Sequence, residues 1–277
     1  MKLDRKIDFA IKLLRSIPQD GPIEVCYSGG KDSDVILELA RMAGIPFEAI
    51  YKQTTIDPPG TTTHAKENGV TIVRPAQTFL QLVERKGLAS RHRRYCCEVL
   101  KEYKIHDRAI QGIRRCESSA RARRYKEPEF CRTFPKGNDK VRTYLPILEW
   151  TNEDVARFIE DRKIKCAPVY YDADGRFHVE RRLGCIGCPL QADQGVADFR
   201  KYPKLLRNYA RAFQKFLDNH VGTQYYNDVD GDAVLGLFYR LFCDTRQEFL
   251  DRKTGGMFPE TALDIHEYMT NYFGIEL

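Results

Sequence analysis

The first half of the chain alternates between helical and extended patterns of apolar residues. Residues 4–16 carry Ile7, Ala10, Ile11 and Leu14 at helical spacing. The apolar run "IEVCYS" (23–28) ends in Ser-Gly-Gly and predicts a buried strand meeting a turn. "DSDVILELARMAG" (32–44) predicts a helix closed by Gly44, because glycine takes the left-handed conformation that ends a helix. Further strands are predicted at "IPFEAIYKQT" (45–54), "GVTIVRP" (69–75) and "DRAIQGI" (107–113), with a helix over 77–86. The polar stretch 125–141, with Pro128, Pro135 and Gly137, reads as a surface loop. "WTNEDVARFIEDRKI" (150–164) predicts a helix capped by Thr151, with Asp154 three residues on. "CAPVYYDADGRF" (166–177) is turn-rich, and from about Phe199 onward the pattern is helical with aromatics along it.

Strand–helix alternation at these lengths predicts an α/β fold built on a doubly wound, mostly parallel, Rossmann-like sheet. Such sheets bind ligands beyond the carboxyl ends of their strands. The expected organisation is an α/β domain over 1–190 followed by a C-terminal helical extension over 191–277.

Composition narrows the class. The 277 residues are 42% hydrophobic and 30% charged, which supports a real core. No apolar run approaches the length of a membrane span. The stretch "MKLDRKIDFAIKLLRSIPQD" is charged and amphipathic, unlike a signal peptide, so a cytoplasmic protein without a membrane partner is expected. In that compartment the nine cysteines are not expected to form a disulfide framework. Net charge is +6 but uneven: residues 91–126 hold twelve Lys or Arg against four Asp or Glu. That excess suggests an anionic ligand, either nucleotide phosphates or nucleic acid; the alternative is a solvated basic face.

"CYSGGKDSD" (26–34) lies between the first strand and the following helix. Gly29 and Gly30 allow close backbone approach to an anion, the helix start offers N–H groups, Lys31 adds a cation, and Ser28 and Ser33 add hydroxyls. The spacing is neither that of a Walker A loop nor that of a dinucleotide fingerprint. Ser28-Gly29-Gly30-Lys31-Asp32-Ser33 resembles the PP-loop of the adenine nucleotide α-hydrolase superfamily, whose members typically cleave ATP between the α and β phosphates. The resemblance implies that these six residues hold pyrophosphate and that Asp32 orients the loop or Mg²⁺.

A second motif, "LGCIGCPL", supplies Cys185 and Cys188, which with the adjacent Cys96 and Cys97 make four candidate metal ligands. Adjacent cysteines suit one tetrahedral zinc poorly. They suit a [4Fe–4S] cluster better, since each iron takes its own thiolate. A redox C-x-x-C pair and four unrelated buried cysteines are further readings of the same spacing. The Cys-Cys pair, 87 intervening residues and then Cys-x-x-Cys, with the flanks "RYCCEVLK", "GIRRCESSAR" (112–121), "LPILEWTNEDV" (145–155) and "PVYYDADG" before "RRLGCIGCP", resembles the cluster-binding branch of the PAPS/APS reductase family. The likeness runs from about Ile23 to Leu190. It implies an adenine nucleotide α-hydrolase-like fold and Cys96, Cys97, Cys185 and Cys188 as ligands of a [4Fe–4S] cluster. It further implies that Gly112, Arg114, Glu117, Ser118 and Arg121 form an anion clamp; the bland reading of the same residues is a salt-bridged helix start.

The sequence departs from that family in three ways. Assimilatory reductases carry a nucleophilic cysteine near the C-terminus, in a motif close to Glu-Cys-Gly-[Leu/Ile]-His. Here the last cysteine is Cys243, in "RLFCDTRQEF", with no Gly-His after it. Those reductases usually lose the Lys-Asp of the loop, whereas Lys31 and Asp32 are present. "TTIDPPGTTT" (54–63) stands where many relatives carry Asp-Thr-Gly, with Asp57 and Thr61 as candidate nucleotide contacts. Together these resemble the ATP-pyrophosphatase component of DNA phosphorothioation systems, and cluster-bearing tRNA thiolases use a related loop. The expectation is an ATP-dependent, iron–sulfur sulfur-transfer enzyme using Mg²⁺, with Lys31, Asp32, Arg114 and Arg121 as catalytic residues. Nucleic acid is the expected sulfur acceptor and a cysteine desulfurase or thioredoxin-like protein the expected donor. Two alternatives stand beside it: a PAPS or APS reductase that takes its thiol from Cys243 or a partner, and a non-catalytic nucleotide or nucleic-acid binding module with a structural cluster.

Overall fold

The computed structural model describes residues 2–133 and 140–277. Its strands are β1 (Ile23–Tyr27), β2 (Glu48–Lys52), β3 (Thr71–Val73), β4 (Arg108–Ile110), β5 (Glu129–Thr133) and β6 (Lys140–Tyr144). They form one six-stranded sheet in the order β3-β2-β1-β4-β6-β5. All neighbours are parallel except β5, which runs antiparallel to β6. Registers of Val25 with Ala49 and of Val25 with Ile110 place β1 at the sheet centre. This is the doubly wound α/β architecture that the alternating pattern predicts.

Local sequence explains the elements. The helices Leu3–Arg15 and Lys31–Ala43 present Ala10, Leu14, Val35 and Leu39 to one core shared with Val25, Tyr51, Trp150 and Phe158. Gly44 closes the second of them at φ 67°. Thr151 and Asp154 form a reciprocal capping box at the start of the helix Asn152–Asp161, so that start is legible in sequence, although the helix ends three residues before the predicted 164. The strands are shorter than the apolar runs suggest, because only part of each run pairs with a neighbouring strand.

One expectation needs correction. Residues 125–141 do not form a loop throughout: β5 and the start of β6 pair as an antiparallel ladder from Glu129–Tyr144 to Thr133–Lys140. Along β5 exposed residues alternate with half-buried ones, so Glu129 and Arg132 disguise an edge strand as polar loop. Pro135 and Gly137 lie outside the described residues.

Packing divides the chain into two units, and the division does not fall at residue 190. The first runs to Gln53 and includes Asp57–Pro75 and Leu100–Gly184, and it carries the whole sheet. The second comprises Thr54–Ile56, Ala76–Val99 and Cys185–Leu277. It is helical, with the helix Phe79–Lys86 packed on Pro203–Asp218 through Phe79 and Tyr209, whose ring centroids lie 5.0 Å apart. Among the described residues no helix is long and apolar enough to cross a membrane.

The sheet order fixes where a ligand can bind. From β1 the chain winds to β2 and β3 on one side, then returns to place β4 on the other. The strand order reverses between β1 and β4, so a crevice lies beyond their carboxyl ends. Thr151→Ala tests the cap near this region: it should cost about 1 kcal/mol, read as a melting-point drop of roughly 2–4 °C by circular dichroism.

Candidate nucleotide site and cysteine cluster

The loop after β1 is shaped by its glycines. Gly29 has φ +77°, and a Cβ there would stand 2.7 Å from Thr61 Cγ2. Gly30 is the N-cap of the helix Lys31–Ala43 and brings no side chain to it. Ser28 and Ser33 hydroxyls lie 3.4 Å apart, and Ser33 Oγ donates to the Gly30 carbonyl at 2.6 Å. Gly30 thus leaves the helix start without a side-chain cap of its own, with the positive end of the helix dipole at the loop.

Lys31 is buried, at 4% exposure. Its ammonium donates to Asp32 Oδ2 at 3.1 Å and sits 5.4 Å from the centroid of the Tyr170 ring. A Cβ on Gly30 would lie 3.3 Å from Tyr170 Oη. Burial pushes the Tyr170 hydroxyl up to about 12, against the opposing effect of the Lys31 N–H. Tyr170 thus shapes the loop, and its only sequence signal was its place in the "PVYYDADG" block. Asp34 supports the same helix turn from another side: it accepts from Tyr27 Oη at 2.5 Å and faces His64 Nε2 at 3.0 Å. Desolvation raises its pKa.

The segment after β4 reaches the loop across the switch point. A Cβ on Gly112 would stand 2.8 Å from the Asp32 carbonyl oxygen, so this glycine permits backbone-on-backbone contact. Arg114 follows, at 1% exposure. Its Nε lies 2.7 Å from Asp32 Oδ1 as an ion pair, although the two atoms are off hydrogen-bond alignment. Its Nη1 donates to Asn152 Oδ1 at 3.0 Å and to Cys116 Sγ at 3.1 Å. Arg114 therefore braces Asp32 from within the protein and presents no open fork to the crevice.

Glu117 gathers the rest of the predicted clamp. It accepts the Arg114 N–H at 3.1 Å, pairs with Arg121, and faces Arg182 at 3.4 Å. Ser118 caps the helix Ser119–Arg124 by accepting the Arg121 N–H at 3.2 Å. Two guanidiniums on one carboxylate leave one positive charge in excess. Desolvation first, and then Arg182, lowers the Arg121 pKa.

A cavity of about 210 Å³ opens beside Ser28 on one face of the sheet, lined by Glu24, Cys26, Lys52 and Gln111 among others. Lys52 pairs with the buried Glu24 at 3.0 Å and donates to the Tyr103 carbonyl at 2.8 Å. Burial, with Glu24 adding to it, pushes the Cys26 thiol up to about 12 and keeps it a thiol. A charged residue inside the apolar run "IEVCY" was the overlooked signal.

All four candidate cluster cysteines belong to the second unit. Cys96 and Cys97 begin the helix Tyr95–Leu100, and Cys188 N–H donates to the Cys185 carbonyl at 3.3 Å across the turn. Each thiol is half-buried. Cys96 is pushed well up, first by its hydrogen bond with Cys97, then by burial and by the charges of Cys97 and Cys185. The turn is rigid: the Gly187 N–H donates to Asp198 Oδ2 at 2.9 Å, and Arg240 Nη2 donates to the Gly187 carbonyl at 2.5 Å. Among the described residues no group of three or more His, Cys, Asp or Glu is arranged to hold a metal ion.

Residues 22–191 match the model of the phosphoadenosine phosphosulfate reductase domain. Two uncharacterized proteins of Methanocaldococcus jannaschii, MJ0066 and MJ0973, are 26% and 27% identical, covering 72% and 79% of this chain and 43% and 51% of their own lengths. An uncharacterized 37.8 kDa protein of Escherichia phage 186 is 28% identical over 50% of this chain and 43% of its own. The chain thus spans about half the length of the curated relatives it matches. Among solved structures, FMN adenylyltransferase of Candida glabrata is 16% identical with a TM-score of 0.44, covering 67% of this chain and 62% of that one. The phosphoadenylyl-sulfate reductase of Candida auris, in a phosphate complex, is 13% identical with a TM-score of 0.41, covering 60% and 87%.

The bracing of Asp32 is directly testable. Arg114→Met should destabilise the protein by about 3–5 kcal/mol, because it strands a largely buried carboxylate. Asp32→Asn should cost less in the Arg114→Met background than alone, as read from urea titrations. Strictly additive effects would show that the two side chains do not interact.

Proposed function

The chain belongs to the phosphoadenosine phosphosulfate reductase domain family, and from that membership we propose that it is a PP-loop enzyme that splits ATP into AMP and pyrophosphate to activate an acceptor for sulfur transfer. The observation that carries this reading is the Lys31–Asp32 pair, with Lys31 buried at the helix start and Asp32 held by Arg114. A sulfonucleotide that loses its sulfur as sulfite releases no pyrophosphate, whereas a loop with a lysine at its helix start fits a di- or triphosphate.

In the proposed reaction the β and γ phosphates of ATP rest on residues 28–33. An acceptor oxygen attacks the α phosphorus, the bond to the bridging oxygen breaks, and pyrophosphate leaves with the electron pair. The Lys31 ammonium and the N–H groups at the helix start stabilise the charge that grows on that oxygen. The outer sulfur of the donor's persulfide then displaces AMP, which leaves with the acceptor's oxygen, and a second thiol of the donor breaks the remaining S–S bond, leaving the sulfur on the acceptor and a disulfide on the donor. Arg114 acts as a positioning residue through Asp32. Arg121 and Arg182 supply the excess positive charge of the clamp. With its two oxygens facing Lys31 and Arg114, Asp32 fits the orienting role and is a poor ligand for Mg²⁺, which would enter with the nucleotide phosphates.

We assign Cys96, Cys97, Cys185 and Cys188 to a [4Fe–4S] cluster, which when bound supplies a redox or sulfur-relay centre. Arg240 supports the fit. It is buried, its partners are three carbonyl oxygens, no carboxylate forms an ion pair with it among the described residues, and Tyr209, Cys188, Cys96 and Tyr95 act on its charge. A buried cation without a carboxylate suits an anionic thiolate-bound centre. The sulfur acceptor is proposed to be nucleic acid, in keeping with the basic helix Ser119–Arg124, and the donor a cysteine desulfurase or thioredoxin-like protein carrying a persulfide. Cys243 is a poor nucleophile for the sulfonucleotide reductase alternative: it is buried, and desolvation pushes its thiol up to about 11.

Incubation with ATP should yield AMP and pyrophosphate once an acceptor is present, and Lys31→Met should slow this by about 100- to 1000-fold. Sulfite release from PAPS with thioredoxin, without ATP turnover, would replace this reading by the reductase. Anaerobic purification should give a brown protein with about four irons per chain; Cys97→Ser should lose the colour and Cys166→Ser should keep it. A colourless protein with one zinc refutes the cluster assignment.

A further inference from the structure

A second cavity, of about 520 Å³, lies wholly within the helical unit. Its wall carries half-buried aromatic rings: Phe216 stacked on His220 with centroids 3.9 Å apart, and Tyr225 beside Tyr239 at 6.3 Å. Its floor holds the buried Arg240 and Cys243, and its rim the exposed Arg91, His92 and Arg93. Gly87 fits the rim chain against Phe216, since a Cβ there would lie 3.1 Å from that ring.

The charge of this cavity is unbalanced at its rim, by Arg91 and Arg93, apart from the Arg240 charge already matched to the proposed cluster. Arg91 donates to the carbonyls of Pro189, Gln191 and Ala192, Arg93 to that of Lys86, and Arg240 to those of Ala89, Gln194 and Gly187. None of the three forms an ion pair among the described residues, and Asp244 is the one carboxylate in the lining. Backbone carbonyls hold each guanidinium in place without neutralising it. The walls thus combine flat rings, which accept a base by stacking, with positioned cations, which accept a phosphate.

We propose that this cavity binds single-stranded nucleic acid by taking in one nucleotide, its base against Tyr225 and Tyr239, with the Phe216–His220 stack as a backing wall, and its phosphate against Arg91 and Arg93. This deepens the reading of a nucleic-acid acceptor and rests on it for its meaning, while the binding itself requires no chemistry at the phosphate loop. An aliphatic or purely anionic ligand would use only half of the lining. A single strand is favoured over a duplex, whose stacked bases cannot present a face to the rings.

The test is fluorescence anisotropy of the full chain with a labelled, mixed-sequence single strand of roughly 12 nucleotides. Tight binding should weaken steeply with salt. Arg93→Glu, at an exposed position, should reduce affinity at least about tenfold and lower the salt slope by roughly 0.7 for each phosphate it no longer neutralises. Tyr225→Leu should reduce affinity by about tenfold with the salt slope unchanged. Melting curves confirm that both variants are folded. No binding by the wild type, wild-type affinity in both folded variants, or AMP binding in place of the strand would each overturn the proposal. ATP turnover is assayed separately: strand binding without turnover upholds the cavity and sinks the reaction, and turnover without strand binding does the reverse.

Discussion

The contact between Asp32 and Arg114 is the constraint on which the candidate nucleotide site depends. A buried guanidinium is costly to desolvate, and the structure offsets that cost with a carboxylate 2.7 Å away and a carboxamide at 3.0 Å. The three residues come from three elements: the first turn of the helix after β1, the segment after β4, and the start of the helix Asn152–Asp161. One side chain therefore ties both lips of the switch-point crevice to the helix that packs Phe158 against Trp150, with ring centroids 5.3 Å apart. The close pass of Gly112 over the Asp32 carbonyl is the backbone side of the same junction. Lys31 gains its position second-hand, through Asp32.

Two sets of arginines are handled differently, one around the phosphate loop and one around the helical unit's cavity, although Arg246 and Arg252 of the helical unit are themselves ion-paired. In the sheet unit Arg108, Arg114, Arg121 and Arg162 face Asp20, Asp32, Glu117 and Glu38, so their charges are largely met within the protein. In the helical unit Arg91, Arg93 and Arg240 are fixed by carbonyl oxygens, which orient a guanidinium but carry only partial charge. The first arrangement builds a rigid frame and leaves Lys31 as its poised cation. The second leaves positive charge at the exposed Arg91 and Arg93, while the desolvated Arg240 is matched to the proposed anionic cluster. This contrast is why the framework of a phosphate site and the binding of a polyanion are assigned to different stretches of one chain.

Much of the frame was legible in sequence, for identifiable reasons. Buried parallel strands read as apolar runs, and Gly44, Thr151 and Asp154 announce helix ends through chemistry local to the chain. The turn at 28–30 was legible because an apolar run ends in Ser-Gly-Gly. What escaped was nonlocal or half-solvated. β5 and β6 escaped because an edge hairpin need bury only one face. The role of Arg114 escaped because an arginine in a basic run looks like a surface clamp until burial shows it bracing Asp32. Tyr170 and Glu24 touch the loop region from far along the chain or from inside a strand, and no periodicity marks either.

The turn proposed to hold the cluster is restrained by the protein around it. Cys96 and Cys97 occupy successive positions of a helix, so their side chains leave its axis about 100° apart. One tetrahedral ion cannot easily take both, whereas two irons of one cluster can. The opposite pair is held by neighbours that are not ligands. Gly187 adopts φ +69° against the Phe199 ring, and a Cβ on Gly195 would stand 2.5 Å from the Gly187 backbone. Asp198 accepts both the Gly187 N–H and Gln191 Nε2, at 2.9 and 2.7 Å, and Gln191 Nε2 also donates to the Cys185 carbonyl at 3.3 Å. Arg240 closes the ring through the Gly187 carbonyl. A turn so restrained keeps Cys185 and Cys188 in one geometry whatever they bind. Its rigidity accordingly favours a ligand of fixed shape over a disulfide switch, which must open and close.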